Sequence, residues 1–243
     1  MNPTLELLAN HRSIRAFEDA PVPDADLEAA VRSGQAAATS SHIQAYSLIE
    51  VIDRQERKTL VELTGGQPWV ESCGRFLVVC ADIRRHRLVA EAAGVANVQN
   101  LETFLLGVID ATLFAQNTVV ALESMGYGIC YIGGLRNRLS SVVELLEIPD
   151  GVWPLYGLCV GVPAQNPETK PRLPIEAVLH RGRYASDGDL REMIEAYDGT
   201  MSAYYERREK PGWNWSGALS RRFSHPQRSD LPDVYRQLGA RPD

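Results

Sequence analysis

Residues 101–125, LETFLLGVIDATLFAQNTVVALESM, decide how the rest of the chain must be arranged. At helical spacing Leu105, Val108, Ile109, Thr112, Val119 and Leu122 point several ways round one cylinder. A helix apolar on most sides is predicted to be central. Between Phe104 and Leu122 the run is interrupted by Asp110, Gln116 and Asn117, which argues for a buried helix of a soluble protein and against a membrane span. Gly126 and Gly128 are expected to end it.

Outward from this helix, shorter elements alternate. Downstream, Ile129 to Ile132 is short and β-prone, and Gly133-Gly134 turns the chain into an amphipathic helix at Leu139 to Leu146. Leu155 to Val162 reads as a strand whose Gly157 and Gly161 permit close approach to its backbone. Upstream, Phe76 to Ala81 is a continuous apolar run, expected to be a strand buried on both faces. Tyr46 to Asp53 is a further strand, and Arg54 to Thr64 a charged helix stopped at Gly65-Gly66. Two helices open the chain, with Thr4 and Asp24 as expected caps. Leu190 to Arg208 is a polar-faced helix, followed by a tail rich in Arg, Trp, Ser and Pro and a last helix near Leu231 to Leu238. Long helices and a few strands without βαβ spacing imply an α+β fold.

Composition narrows the function. The 243 residues carry a net charge of -6, which argues against a nucleic-acid partner. Cys73, Cys80, Cys130 and Cys159 form no C-x-x-C pair and sit near no histidine at zinc spacing, so no metal site is expected. Cys80 and Cys159 lie in apolar runs, as buried thiols of a reducing compartment do. With no leader-like segment at the N-terminus, a cytoplasmic protein is expected. There is no Walker loop, dinucleotide fingerprint or nucleophile elbow, and no convincing carboxylate pair, so hydrolase chemistry is poorly supported.

Four constellations carry possible chemistry. His11-Arg12-Ser13-Ile14-Arg15 offers two guanidiniums, an imidazole and a hydroxyl to an anion; on composition alone, a solvated turn paired with Glu18 and Asp19 is the better reading. Lys170-Pro171-Arg172 straddles a rigid proline with two cations. Tyr131-Ile132-Gly133-Gly134-Leu135-Arg136-Asn137 exposes backbone N–H groups able to stabilise partial negative charge. Gly65-Gly66-Gln67 presents an amide that can bond a heterocycle edge. Each is also compatible with an ordinary loop.

In order and at these spacings, together with Ser40-Ser41, Gln44, Leu155 to Gly161, and Tyr204-Tyr205 with Arg207 and Arg208, these segments resemble the nitroreductase superfamily. The branch is that of oxygen-insensitive NADPH nitroreductases and NADPH-flavin oxidoreductases. Thr39 and His42 depart from the pattern: relatives usually carry another Ser and an aromatic residue there. The resemblance implies a single nitroreductase-like domain over 1–243, with a mixed, mainly antiparallel sheet flanked by helices. It implies a domain-embracing homodimer binding FMN at each interface. The excursion and tail, approximately 187–243, would contribute to the interface and the NAD(P)H site. By matching position, His11, Ser13, Lys170 and Arg172 should hold the FMN phosphate, with Arg12 supporting that end. Arg15 and Gln67 should face the flavin pyrimidine, and Gly133 and Gly134 should offer N–H groups near N5 and O4. Tyr131, Ile132 and Leu135 complete that wall. Ser40, Ser41 and Gln44 should come from the facing subunit. Arg208 is assigned to the 2′-phosphate of NADPH, with NADH a possible alternative, and Trp213 and Trp215 to packing.

The implied activity is ping-pong, two-electron reduction of nitroaromatics and quinones, with the chemistry on the flavin and no catalytic side chain beyond the support of Arg15, Gly133 and Gly134. Free flavin, ferric complexes or chromate are alternative acceptors. A flavin-binding protein without turnover is the alternative of another class.

Overall fold

The computed structural model describes residues 2–241; Met1, Pro242 and Asp243 lie outside the described residues. The apolar run at 76–81 becomes β2 (Arg75–Asp82), buried along all but its first residue. Its side chains alternate between two cores: Leu77, Val79 and Ala81 face one way, and Phe76, Val78 and Cys80 the other. β2 lies between β1 (Tyr46–Glu50) and β4 (Val152–Gly161), and β3 (Gly128–Ile132) completes the order β1-β2-β4-β3. The three pairings are antiparallel. The parallel component is a single bridge from Ser13 to Ile129.

The long helix is α6 (Leu101–Ser124), capped by the Asn100 side chain. It packs on the sheet and on α2 (Asp24–Gln35). The helices touch closely because position 34 is glycine; a Cβ there would lie 2.1 Å from Thr118 Oγ1. The other sheet face is covered by α3 (Arg54–Leu63), α4 (Trp69–Ser72) and α7 (Leu139–Leu145), around Leu60, Leu63, Val70 and Val142.

α6 is central, but its apolar residues are distributed differently from the sequence expectation. Leu105 and Ile109, expected inside, are 42% and 52% exposed, in line with Leu101 and Leu113. The buried face instead uses Gly107, Asp110, Ala111, Phe114, Ala115 and Thr118. Small residues allow the backbone to approach the sheet, and the bulky ones are displaced to a stripe, i to i+4, on the outer side. Leu5 and Leu8 of α1 (Pro3–Ala9), which touches α6, add to the exposed apolar surface.

Other local readings are corrected. Asn2, not Thr4, caps α1; Pro23 precedes α2, with Asp24 already helical. α4, α5 (Arg84–Ala92) and α9 (Trp215–Phe223) were not anticipated, the first too short for periodicity and the second largely exposed and arginine-rich. The close approach expected at Gly157 is made by the Phe76 ring.

The chain groups into two units: Met1–Pro167 with Arg228–Asp243, and Glu168–Gln227. The sequence expectation puts the excursion and tail at approximately 187–243. Its last part returns to the sheet because α10 (Leu231–Gln237) and the residues after it bond to the start of β4. Trp153 Nε1 and the Gly151 N–H donate to Leu238 O, and Tyr235 Oη donates to Pro154 O, each near 2.9–3.0 Å. Burial pushes the Tyr235 phenol up to about 12. In the second unit, α8 (Asp187–Glu206) starts with a capping box between Ser186 and Asp189. Tyr197, Met201 and Tyr204 of α8 form a small core that Leu173, Tyr205, Trp213 and Trp215 pack against.

Candidate functional site

The His11–Arg15 segment is extended and tied to the sheet by an isolated bridge, not a solvated turn. Besides the Ser13–Ile129 bridge, the Ile14 N–H donates to Ile129 O at 2.8 Å, and the Ile14 side chain is buried. Further on, Phe17 pairs with Pro163 and the Glu18 N–H donates to Val162 O. Because successive strand residues point to opposite sides, burying Ile14 turns Ser13 and Arg15 the other way. The pairing with Glu18 and Asp19 that composition allowed is not found. Arg12 bonds instead to Asn10, Asn166 Oδ1 and Pro167 O, which fixes it as a strut. His11 Nδ1 lies 2.8 Å from Glu123 Oε1, in the last turn of α6. Among the described residues, the Arg15 guanidinium makes no hydrogen bond or ion pair; it stands 5.7 Å from the Trp69 ring centroid.

Two loops distant in sequence meet beside it. Gln67 Nε2 donates to Thr64 O at 2.8 Å, and Asn137 Nδ2 reaches the same carbonyl at 3.3 Å. Gly134 lies against both groups of the first loop: a Cβ would fall 2.3 Å from Thr64 O and 2.5 Å from Gln67 Nε2. Only glycine fits. Gly133–Arg138 is a 3₁₀ turn, whose leading N–H groups have no partner within the turn. Arg136 holds the turn to the sheet by donating to Leu155 O. Arg15, Gln67, Gly133 and Gly134 are thereby gathered in the first unit. Ile132 and Leu135 are completely buried, so only their backbones can face a ligand. Tyr131 donates to Gln116 Oε1 at 3.1 Å, and burial pushes its phenol up.

Trp69 was not singled out in the sequence. Its Nε1 is buried and lacks a hydrogen-bond partner among the described residues. An unpaired buried donor costs about 1–3 kcal/mol. Glu123 was missed too, because its contact to His11 crosses the whole first half of the molecule and leaves no local signal.

Ser40, Ser41 and Gln44 lie elsewhere. They precede β1, at the sheet edge opposite β3, and three strand spacings amount to about 14 Å. Ser41, His42 and Gln44 have φ of 49°, 60° and 52°, a left-handed cluster that non-glycine residues rarely adopt. The loop is held by Asp110 of α6, 2% exposed, which accepts from Thr39 Oγ1 at 2.5 Å and from the Ala45 N–H at 3.0 Å. Gln44 also lines a cavity of about 510 Å³ with Tyr46, Arg85, His86 and Phe114. His86 is half-buried, with Nε2 on Ile43 O.

Lys170 and Arg172 fall in the second unit. Lys170 Nζ lies over the rings of Tyr205 and Trp213, at 5.3 and 5.8 Å, and Tyr197 Oη donates to Pro171 O. Arg208 is exposed and donates to Tyr204 Oη at 2.7 Å. Trp213 stacks on Tyr205, and Trp215 packs edge-on against Tyr197.

Comparison with known proteins places these features in context. The Nitroreductase family profile matches residues 8–162, and that of the Nitroreductase family, C-terminal domain, matches residues 170–242. The chain is 44% identical to a Bacillus subtilis protein named FMN reductase (NADPH), over 98% of each chain. It is 45% identical to a Salmonella typhimurium oxygen-insensitive NADPH nitroreductase, over 84% of this chain and 83% of the other. The solved structure of NfrA1 nitroreductase from B. subtilis superposes with a TM-score of 0.95 at 43% identity, covering 99% of this chain and 100% of that one. With the fold, both family regions and these relatives in agreement, the chain belongs to the nitroreductase family.

Proposed function

We propose that this chain is an FMN-dependent NADPH oxidoreductase that reduces nitroaromatics, quinones or free flavin. One observation carries the reading: Arg15, Gln67 and Gly133-Gly134 come from three separate stretches, with a guanidinium that has no hydrogen bond or ion pair among the described residues and a close junction of the 64–67 and 133–137 loops that only glycine at 134 permits. These groups suit a planar ring that gains negative charge on reduction. FMN supplies hydride acceptance from NADPH and hydride donation to an electrophilic acceptor.

The chain's own residues bind and polarise. Arg15 places positive charge at the pyrimidine end, where preorganised charge acts without reorganisation. Gln67 would bond the edge of the bound ring, and Gly133 and Gly134 would offer it their backbone N–H groups. At the other end the Ser13 hydroxyl and the free Nε2 of His11 meet the phosphate; Arg12 holds their strand. Lys170 and Arg172 keep the phosphate-binding role that the family resemblance implies for them. Arg208 is assigned to the NADPH 2′-phosphate, so Arg208→Ala should raise KM for NADPH several-fold and leave that for NADH nearly unchanged.

The working unit is a homodimer in this reading. Ser40, Ser41 and Gln44 stand at the wrong sheet edge to complete their own chain's site, and the Leu101, Leu105, Ile109 and Leu113 stripe needs a cover. Fully burying one such side chain contributes about 1.5–3 kcal/mol. Four free buried thiols support a cytoplasmic location.

The test is anaerobic. Purified protein should carry bound FMN, and NADPH should bleach its visible absorbance, with a nitroaromatic or quinone restoring it. Bound flavin that stays yellow would reduce the protein to a carrier, and protein that takes up no FMN would end the reading.

A further inference from the structure

All four cysteines are buried, yet their surroundings divide them. Burial pushes up the thiols of Cys80, Cys130 and Cys159. Cys73 moves the other way. A side-chain hydrogen bond with Cys159 holds its thiol below the ordinary range, against burial, and the Arg57 guanidinium and the Val160 backbone add to the lowering. The partner responds as a donor should: that hydrogen bond adds to burial in raising Cys159. In the resting protein the Cys73 thiol also donates to Arg75 O at 3.1 Å and to Val70 O at 3.4 Å, so its surroundings differ from those of Cys159.

Position supports the same division. Cys73 lies between α4 and β2, and Arg57 Nη1 donates to its carbonyl at 3.0 Å. Cys159 sits within β4, opposite Phe76 of β2 and Cys130 of β3. Cys73, Cys130 and Cys159 share one core cluster. Cys73 and Gly74 also form part of the wall of a surface cleft of about 630 Å³, with Arg54, Arg57 and Glu71. Of the three cysteines in this cluster, Cys73 is the one at the wall of the cleft. The proposed flavin chemistry uses none of these thiols.

We propose that Cys73 and Cys159 are a redox pair that a small hydroperoxide, entering by this cleft, converts to a disulfide. In the first step the Cys73 thiolate attacks one peroxide oxygen. The O–O bond breaks, the second oxygen leaves as water or an alcohol after taking a proton, and Cys73 becomes a sulfenic acid. In the second step the Cys159 sulfur attacks the Cys73 sulfur. Hydroxide leaves, takes the Cys159 proton and departs as water, and the S–S bond forms. Two thiols lose two electrons to one hydroperoxide. The product ties the residue preceding β2 to the middle of β4.

The experiment uses the full chain as purified, without NADPH, so that no flavin turnover generates peroxide. Protein is exposed to hydrogen peroxide, alkylated, digested without reduction and read by peptide mass spectrometry. The expected result is a Cys73–Cys159 cross-linked peptide that disappears on reduction. Cys159→Ser should instead leave Cys73 trapped by a 1,3-diketone as sulfenic acid, and Cys73→Ser should abolish the cross-link with Cys159 still alkylatable after unfolding. Wild-type protein that keeps four alkylatable thiols while its methionines oxidise would overturn the proposal, as would a Cys130–Cys159 cross-link in its place. The wild-type result suffices if either variant fails to fold. Because the readout is thiol chemistry, it succeeds or fails independently of the flavin reading.

Discussion

At one edge of the sheet, beside β1, Asp110 of α6 accepts from Thr39 Oγ1 and the Ala45 N–H; at the other, beside β3, Glu123 of the same helix bonds the His11 ring. The helix thus anchors both edges with carboxylates, but the loops differ. The β1-side loop turns its own polar groups inward to Asp110 and holds three non-glycine residues at positive φ, leaving Ser40 and Ser41 exposed. On the β3 side the backbone is satisfied by strand pairing, while the Arg15 guanidinium and the Trp69 Nε1 remain unpaired. In the proposed reading, one edge offers donors to the ligand and the other presents short side chains to a second copy.

The sharpest way to break this contrast is at Arg15. Arg15→Ala should slow anaerobic flavin reduction by NADPH about 10²–10³-fold, the range for losing one preorganised donor to developing negative charge. Stability should change by less than about 0.5 kcal/mol, because the side chain is exposed and makes no ion pair among the described residues. Stopped-flow traces and thermal melts read the two quantities separately. An unchanged reduction rate would remove Arg15 from the mechanism.

Next in size is the cradle. In Gly134→Ala the new methyl meets Thr64 O and Gln67 Nε2 at under 3 Å, so the loops must separate. Overpacking of this kind costs about 1–3 kcal/mol, and if it falls on the ligand-bound state, FMN affinity drops about 5–150-fold. Gly133→Ala is the control, since its nearest atom is the far end of Arg136 at 3.8 Å. Titration of apoprotein with FMN should separate the two variants, and equal losses would mean the cradle is not formed by Gly134.

How much of this was legible in the sequence depends on the range of each interaction. The double-sided burial of β2 was legible, because six consecutive apolar residues in an extended strand must present apolar side chains to both faces. So were the glycine stops and the short helix after Gly133-Gly134, which rest on local backbone chemistry. The inner and outer faces of α6 were not: Leu105 and Ile109 look like core residues until Gly107 and Ala111 are seen taking the sheet side. For the site, the separate clusters were visible but their meeting was not. Trp69 sits in a four-residue helix without periodicity, and Asp110 read only as an interruption of an apolar run, although it anchors the loop at 39–45.

Asp110 gives the third test. Asp110→Asn keeps the shape but turns an amide N–H toward groups that donate, or removes the charge they answer. Leaving one buried donor unmatched should cost about 1–3 kcal/mol in stability, measured by denaturant titration, and should free Ser41, His42 and Gln44 from their strained φ values. If those residues complete a neighbouring copy's site, FMN retention should fall in step with loop order. A variant with a loosened loop and full FMN retention would confine the β1 edge to a structural role.

The smallest expected effect is at Glu123, where two contributions can be separated. The His11 Nδ1–Glu123 Oε1 contact fixes the ring with Nε2 free, and it also sets a negative charge behind the group that is to meet the phosphate. Glu123→Gln keeps an oxygen acceptor at the same reach and removes the charge. Glu123→Ala removes both. A neutral hydrogen bond contributes about 0.5–1.5 kcal/mol, so if orientation is what matters, Glu123→Ala should weaken FMN binding about 2–10-fold and Glu123→Gln should stay near the parent. If charge matters, the two should weaken together. The β3 edge would then depend on α6 as electrostatically as the β1 edge does, and the contrast between ligand-facing and self-satisfied edges would narrow to the unpaired groups alone.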